Sequence, residues 1–302
     1  MPTTYHKPAG PKDTWFFTSD LHGRTGRYRA LLAAVAEESP RAVLLGGDLL
    51  PHPFAEAADA ARYPDFLADF LEPALAELRD RLKDAFPRFV AIAGNDDPRA
   101  SEPRWQQIAA RGLWEYLAGG WTEIDGVPVL GYPYVPPTPF RLKDWERYDV
   151  SRFVDPGCVA PEDGVHSTPI DRQRLQHETI AADLRRLADG RDLAGAILLC
   201  HSPPYQTVLD RAALDGRLVD HVPLDLHVGS IALRRFIERV QPAAGLHGHV
   251  HESARLCGAW REQLGRTWCM TGSCDGPDLT LIALDPRSPE KATRRLLPVR
   301  SA

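Results

Sequence analysis

The sequence predicts an α/β fold in which layers of strands and helices are stacked on one another. Short apolar runs of the kind that form buried strands alternate with longer segments whose apolar residues recur at helical spacing. Glycine or a polar residue follows most of the strand-like runs, and parallel sheets carry functional side chains at that end of their strands. Neither an internal repeat nor a low-complexity linker divides the 302 residues, so a single domain over residues 1–302 is expected.

Strands and helices are predicted to alternate in the first half of the chain. The apolar runs that predict strands lie at residues 15–18, 42–45 and 89–93. Helical spacing predicts helices over residues 27–38, 56–86 and 102–111. Pro64 and Pro73 interrupt the longest pattern, which is therefore expected to be two helices or one kinked helix. Asp125 and Gly126 lie between two β-like runs within residues 119–132 and predict a hairpin.

An irregular insertion is predicted at about residues 133–168. It is rich in proline and aromatic residues and has no sustained periodicity, so we expect it to be ordered and to line a substrate cleft. Its basic residues Arg141, Lys143 and Arg147 also motivate that expectation.

After the insertion, Thr168 and Pro169 predict the start of a helix whose buried stripe continues to Leu187. Ser230 predicts the N-cap of a later helix that ends near Val240. Further strands are predicted at residues 194–199 and 243–246, and three antiparallel strands that close the sheet are predicted at 253–257, 266–270 and 279–284.

The composition is that of an ordinary globular protein, with 43% hydrophobic and 25% charged residues. A formal net charge of -5 gives no reason to expect a nucleic-acid partner. No apolar run approaches the roughly 20 residues that cross a bilayer, and the first 13 residues lack the apolar core of a signal peptide. A cytoplasmic protein without membrane partners is therefore expected. The five scattered cysteines favour reduced thiols.

Residues of metal-ligand type occur in five short blocks, each following an apolar run. The blocks are Ser19–Gly23, Gly46–Asp48, Gly94–Asp97, Cys200–Ser202 and His247–His251. In an extended segment, His249 and His251 would project to the same side of the backbone. Apart from Cys200, the blocks offer imidazole, carboxylate and amide groups as ligands, and these suit Mn, Fe, Zn or Ni.

In this order the blocks resemble the calcineurin-like metallophosphoesterase superfamily. The superfamily pattern is DxH, GD, GNH followed by Asp or Glu, H and GHxH, and this sequence has DLH, GGD, GNDD, H and GHVH within residues 14–272. The resemblance implies two packed mixed β-sheets flanked by helices. It also implies two divalent metal ions that activate a hydroxide for the hydrolysis of a small-molecule phosphate ester.

The resemblance further implies seven metal ligands. Asp48 is the bridging carboxylate, and the other six form two sets of three: Asp20, His22 and His251 for one metal, and Asn95, His201 and His249 for the other. Arg24, beside the first block, is the best candidate for binding substrate phosphate, because a guanidinium group matches phosphate oxygens in paired geometry.

One residue departs from the superfamily pattern. Asp96 stands where a histidine usually assists departure of the leaving group. A carboxylate beside two cations is expected to be ionised, which favours phosphodiesters and esters with acidic leaving groups. The alternative is that Asp96 points away and pairs with Arg99 or another base, so that another group such as His52 or His227 acts as the acid.

The leading functional hypothesis is a metal-dependent phosphoesterase that prefers phosphodiesters. A nuclease of the same superfamily is the second hypothesis and would require a positive groove that the composition does not advertise. A noncatalytic scaffold on the same fold is the third, and the intact set of seven ligands counts against it.

Overall fold

The predicted alternation of strands and helices is present in the computed structural model, which describes residues 13–51 and 62–299. In this part of the chain the strands are β1 (Trp15–Thr18), β2 (Ala42–Gly46), β3 (Arg88–Ile92), β4 (Glu115–Tyr116), β5 (Gly120–Ile124), β6 (Val127–Tyr132), β7 (Ile197–Cys200), β8 (Leu218–Val219), β9 (Val222–Pro223), β10 (Ala244–His247), β11 (Arg261–Leu264), β12 (Thr267–Thr271), β13 (Leu279–Leu284) and β14 (Thr293–Leu297). The α-helices are α1 (Thr25–Glu38), α2 (Glu72–Leu82), α3 (Glu102–Ala110), α4 (Arg172–Leu175), α5 (Ile180–Ala188), α6 (Ile231–Val240) and α7 (Ser253–Cys257).

The described strands form two mixed six-stranded sheets and a small hairpin of β8 and β9. The first sheet has the order β14-β13-β1-β2-β3-β4, and the second has the order β11-β12-β10-β7-β6-β5. In the first sheet β1 to β4 run parallel, while β13 and β14 are antiparallel to their neighbours. In the second sheet β6, β7, β10 and β12 run parallel and β5 and β11 are antiparallel. Two packed mixed sheets flanked by helices are thus confirmed.

An apolar layer fills the space between the two sheets. Alternate residues of the first sheet, among them Phe17, Leu44 and Val90, meet Leu199 and Leu246 of the second sheet, and all are buried. Burial of a large apolar side chain stabilises the fold by about 1.5–3 kcal/mol. A second, larger cluster joins the other faces of the sheets to the apolar stripes of the helices.

The helical pattern predicted for residues 56–86 is interrupted at residues 63–65, around Pro64, and continues without a break through Pro73. A π-helical turn at Phe66–Leu71 leads into α2, and Pro73 occupies the first turn of that helix, where its missing N–H needs no acceptor. The start of the predicted pattern and His52 lie outside the described residues.

The helix predicted to begin at Thr168 and Pro169 was placed wrongly. The side chain of Asp171 caps α4 by accepting from the N–H of Arg174, and that of Thr179 caps α5 by accepting from Ala182. The N–H of Ile180 bonds to the insertion at the carbonyl of Tyr148, 2.8 Å away, and this contact holds the chain extended between the two helices. Two short helices, each with its own N-cap, therefore occupy the region where one continuous helix was predicted.

One prediction near the end of the chain was also wrong, and another was incomplete. Residues 253–257 form the helix α7 rather than a strand, with Gly258 at a φ of 67° as its left-handed C-cap. The strand β12 is antiparallel to β11, as predicted, but it also runs parallel to β10. The pattern of short apolar runs missed β11 and β14, which carry several charged residues on exposed or half-buried positions.

Residues 133–168 are irregular, as predicted, with a single 3-10 turn at Pro161–Asp163. A buried ion pair organises them: Lys143 Nζ lies 2.5 Å from Glu146 Oε2, and both side chains are 0% exposed. Arg147 pairs with Glu178 and Asp183 next to α5. Lys143 and Arg147 therefore do not provide the exposed basic lining that motivated their prediction, whereas Arg141 is exposed.

Candidate metal centre

The five predicted blocks meet at the carboxyl ends of parallel strands from both sheets. Asp20, Asp48 and Asn95 follow β1, β2 and β3 of the first sheet, while His201 and His249 follow β7 and β10 of the second. The carboxyl edge of parallel strands is where α/β proteins place their ligand sites, because the loops there are free to vary.

Several of these residues adopt left-handed backbone conformations. The φ angles are 58° at Asp20, 47° at His22, 52° at Asp48 and 73° at His249. Such conformations cost free energy in residues other than glycine and persist where surrounding contacts enforce them, often at functional sites. For His249 the left-handed turn replaces the extended segment that the sequence suggested, so its side chain and that of His251 take separate directions.

Four side chains form a compact cluster at this edge. One potential ligand atom from each of Asp20, His22, Asp48 and His251 lies within 4.8 Å of the others. The Nε2 atoms of His22 and His251 are 3.1 Å apart, and His251 Nε2 is 3.1 Å from Asp20 Oδ1. Asp48 Oδ2 lies 3.9 Å from His22 Nε2.

A second group adjoins the first through Asp48. Its Oδ2 is 3.2 Å from His201 Nε2, and the same nitrogen is 3.2 Å from Asn95 Oδ1. The ring centroid of His249 lies 5.4 Å from that of His201. The structure thus brings all seven predicted ligands together, in two groups that share Asp48.

The charges of the two groups are strongly coupled. Burial raises the pKa of Asp48, but the charge and hydrogen bond of His201 and the charge of His22 outweigh burial and lower it to about 2. Burial lowers the pKa of His201, but Asp48 outweighs this effect and raises it to about 10. Burial, with the charge of His201, lowers the pKa of His249 to about 3, and burial also lowers the pKa of His22.

These residues fit a divalent metal ion chemically. Ionised carboxylates and neutral imidazoles are the ligand forms of Asp and His, and a metal ion would take the place of the proton on His201. The Nε2 atoms of His22 and His251 lie 3.1 Å apart, and Asp20 Oδ1 is 3.1 Å from the second of them, so donor atoms from three residues converge on one place that a cation could occupy. The donor set contains nitrogen and oxygen but no thiolate sulfur, which suits a catalytic rather than a structural metal.

The side chain of Asp96 lies beside the cluster, next to His22. Its Oδ2 lies 3.8 Å from His22 Nδ1, and its backbone N–H donates to Asp48 Oδ1 at 2.8 Å. The guanidinium of Arg99 bonds to Tyr134 and to the carbonyl of Asp144. Burial, followed by the charges of Asp48 and Asp97, raises the pKa of Asp96 to about 8. Cations at the cluster would lower that pKa, so ionised Asp96 remains a prediction for the metal-loaded protein.

Three residues that support the cluster were missed in the sequence. The carboxylate of Asp97 is buried and accepts from the backbone N–H groups of Leu49 at 3.0 Å, Leu50 at 2.8 Å and Gly94 at 2.9 Å. It therefore joins the loop after Asp48 to the loop of Asn95. The sequence feature that could have indicated this role of Asp97 is the acidic residue at the end of the GNDD block.

Arg27 and Ser273 hold Asp20. The buried guanidinium of Arg27 donates to the carbonyl of Asp20 at 2.6 Å and to that of Gly276 at 2.5 Å, and the Ser273 hydroxyl donates to the Asp20 carboxylate. Arg27 lies four residues before Leu31 on the buried stripe of α1, and a charged residue on that stripe was the available signal.

Arg24 and His227, the remaining candidates, are not among the clustered side chains, and His221 is a further histidine of the second irregular stretch. Arg24 is exposed at the N-cap of α1, two residues after His22. His221 is exposed in the turn between β8 and β9. His227 is half-buried and pairs with Asp210. All five cysteines lie in the described residues as free thiols.

Fold and cluster together define an α/β protein with residues that could hold metal ions at the shared edge of two packed sheets. The family model of the calcineurin-like phosphoesterases matches residues 15–253. The chain belongs to the calcineurin-like phosphoesterase family and is a metal-dependent phosphoric ester hydrolase. A comparison with curated proteins gave no significant match.

Solved structures share the fold at low sequence identity. The crystal structure of TT1561 from Thermus thermophilus is 16% identical, with a TM-score of 0.53 over 96% of this chain and 100% of that one. A second crystal structure is 14% identical, with a TM-score of 0.58 over 95% of this chain and 99% of its own. A dimetal phosphatase from Danio rerio is 12% identical, with a TM-score of 0.45 over 96% of this chain and 100% of that one. Among the described residues, no helix combines the length and apolar character needed to cross a membrane.

Proposed function

We propose that this protein hydrolyses a small-molecule phosphate ester at a centre of two divalent metal ions, and that it prefers phosphodiesters to monoesters. The observation that carries the proposal is the position of Asp48 between the two groups of ligands. Its Oδ2 atom lies 3.2 Å from His201 Nε2 and 3.9 Å from His22 Nε2. A carboxylate in such a position suits a bridging role in a two-metal site.

The proposed ligand sets follow the two groups in the structure. Asp48 serves both metals, and the others divide into Asp20, His22 and His251 on one side and Asn95, His201 and His249 on the other. When bound, two divalent cations supply a nucleophile at neutral pH and neutralise charge on the phosphoryl oxygens. Mn, Fe, Zn and Ni all suit these ligands.

The proposed preference for phosphodiesters arises from Asp96. Its side chain is buried on most sides and faces His22, so its charge acts on the same space as the cluster. An ionised carboxylate there repels a monoester dianion more strongly than a diester, which carries one negative charge. Arg24 is proposed to offset part of this repulsion by binding a phosphate oxygen from the exposed start of α1.

The direct test combines metal analysis with kinetics on two aryl esters. Purified protein would be stripped with a chelator, reloaded separately with Mn, Fe, Zn or Ni, and assayed with bis-p-nitrophenyl phosphate and p-nitrophenyl phosphate. We expect about two metal ions per chain, loss of activity on chelation, recovery on reloading, and a higher kcat/KM for the diester. A metal-loaded protein that hydrolyses neither ester, or that favours the monoester, would contradict the proposal.

A further inference from the structure

The segment between β7 and α6 carries the predicted ligand His201 at its start and is bonded to the loop of His251. The backbone N–H of Ser230 donates at 2.9 Å to the carbonyl of Pro203, two residues beyond His201. The N–H of Ala213 donates at 2.9 Å to the carboxylate of Glu252, which directly follows the last predicted ligand. The segment therefore begins with one ligand-bearing loop of the second sheet and contacts the other.

His227 lies between these two attachments. The helix α6 connects the parallel strands β7 and β10, so it starts at the carboxyl edge of the sheet, the edge that carries the cluster. His227 precedes the first residue of α6 by four positions and pairs through an isolated bridge with Arg211, two residues from Ala213. The topology therefore places His227 in a segment at the same edge of the sheet as the metal centre.

A buried carboxylate orients the imidazole of His227. Asp210 is 0% exposed, and it accepts from His227 Nδ1 at 2.8 Å. The same carboxylate accepts from the backbone N–H groups of Thr207 at 2.8 Å, Gln206 at 2.9 Å and Gly229 at 3.1 Å. Four donors fix the carboxylate, which in turn holds the N–H of His227 at Nδ1 and leaves Nε2 as the ring nitrogen that does not bond to Asp210.

The side chain of His227 is 31% exposed, so it is reachable from solvent while Asp210 is not. A half-exposed imidazole held by a buried carboxylate is the arrangement that enzymes use for proton transfer. This chain lacks a histidine after Asn95, and the carboxylate of Asp96 cannot donate a proton while it is ionised. An alkoxide leaving group requires a proton from another source.

We propose that His227, held by Asp210, donates a proton to the leaving-group oxygen. This inference rests on the proposed phosphoesterase function. As hydroxide adds to phosphorus, the bond between phosphorus and the leaving oxygen breaks, and its electron pair passes to that oxygen. The donor is the imidazolium form of His227: the oxygen takes the proton from Nε2 and departs as an alcohol, which leaves a neutral imidazole with its proton on Nδ1, and Nε2 regains a proton from solvent.

The test compares two phosphodiesters whose leaving groups differ in basicity. One diester has a p-nitrophenol leaving group, which departs without protonation. The other has an alkyl alcohol as its leaving group, which needs a proton to depart. The variant His227→Asn keeps an N–H near Nδ1 for Asp210 and removes Nε2. The matched control is His221→Asn, which changes an exposed histidine of the same segment at a φ of 69°, a conformation that asparagine tolerates.

For the alkyl diester we expect His227→Asn to lower kcat by about 100-fold or more, the usual range of general-acid catalysis, and by less than about threefold for the aryl diester. Metal content and thermal stability should match the control, and a ¹H–¹⁵N spectrum of labelled wild-type histidine should show the Nδ1–H form of His227. If His227→Asn proves unstable, His227→Gln takes its place.

Equal losses on both esters, loss of bound metal, or unchanged rates on both would overturn the role of His227. These outcomes are distinct from failure of the proposed function, because that failure is a metal-loaded wild-type protein without activity on either ester.

Discussion

At the scale of single residues, Asp48 is the residue of the cluster that contacts both groups of ligands. Each of the other ligands belongs to one group. We therefore expect Asp48→Ala to lower kcat/KM more than Asp20→Ala or His249→Ala does, by at least about 100-fold. Kinetics at saturating metal, with metal counted in each variant, check this order. Two tightly bound metals and near-normal turnover in Asp48→Ala would contradict the bridging role.

Asp96 is expected to control the choice between diesters and monoesters. Asp96→His removes a negative charge beside His22, so the preference for the diester over the monoester should fall by about 10-fold, equivalent to ~1.4 kcal/mol of repulsion. The two p-nitrophenyl esters measure the ratio of kcat/KM values. Asp80→His changes an exposed acidic residue on α2 and serves as the control. An unchanged ratio in Asp96→His would show that its charge does not reach the substrate.

Arg27 is expected to set metal affinity although it is not a ligand. Arg27→Met removes the donors that hold the carbonyls of Asp20 and Gly276, so the affinity for metal should fall by about 10- to 100-fold. Titration of the stripped protein with Mn and calorimetric detection measures this change. Arg29→Met alters the outward side of the same helix and should leave affinity unchanged. Equal affinities in both variants would contradict the role.

At the scale of elements, the insertion at 133–168 is attached directly behind the Asn95 loop. The indole N–H of Trp145 donates to the carbonyl of Asp97 at 2.8 Å, and Arg99 stacks on the same indole. Deleting the whole insertion would uncover these buried contacts and the Lys143–Glu146 pair, so substrate effects are better sought in its exposed aromatic residues.

Phe140 and Phe153 are the exposed aromatic residues of the insertion, at 55% and 69% exposure. If the insertion lines the substrate cleft, Phe140→Ser and Phe153→Ser should raise KM for aryl diesters by about threefold to tenfold through lost apolar contact, with metal content unchanged. A panel of aryl and methyl diesters tests this expectation. Leu296→Ser removes an exposed apolar residue on β14 and is the control. Equal kinetics for all three variants would show that the insertion packs away from the substrate.

Sequence patterns identified elements best where a local signal and a buried face agreed. The N-cap Ser230 and the apolar stripe of α6 predicted that helix correctly, and Asp125 with Gly126 predicted the hairpin of β5 and β6. Residues 253–257 were missed as a helix because five residues are too few to show helical periodicity. The parallel pairing of β12 with β10 was missed because pairing with a strand distant in the sequence leaves no local signal.

The ligands were predictable because each follows a buried strand within a short ordered motif. The supporting residues Arg27 and Ser273 were not, because their contacts with Asp20 join distant parts of the chain. Asp97 differs, since its position in the GNDD block marked it without revealing that its carboxylate is occupied by backbone N–H groups.

At the scale of the whole molecule, the first sheet combines strands from both ends of the chain. Trp15 of β1 lies between Ala42 of β2 and Leu284 of β13. A cut in the sequence between the two sheets would therefore remove a strand from the first. We propose on this basis that the chain folds as a single domain.

Global stability is expected to fall in mild acid because His247 is buried in its neutral form. Burial lowers the pKa of His247 from 6.5 to about 4, while Nδ1 donates to the carbonyl of Ser202. The unfolded chain binds this proton at higher pH than the folded chain does, so the contribution is present above pH 6.5 and is lost as the pH falls towards about 4.

The full effect amounts to about 3 kcal/mol at 1.36 kcal/mol per pH unit. Urea unfolding of chelated wild type and His247→Asn between pH 7 and 4 measures it, and the variant should show a shallower decline. Parallel declines in the two proteins would assign the acid sensitivity to other groups.

The separation of the ligands along the chain has a consequence for biosynthesis. His22 and His251 lie 229 residues apart in the sequence, so His22 is synthesised long before His251. A nascent chain therefore has no complete site to capture a cation, and loading must await docking of the two sheets. Between docking of the sheets and loading, the metal-free protein must hold its ligand loops in place through contacts such as those of Asp97 and Arg27.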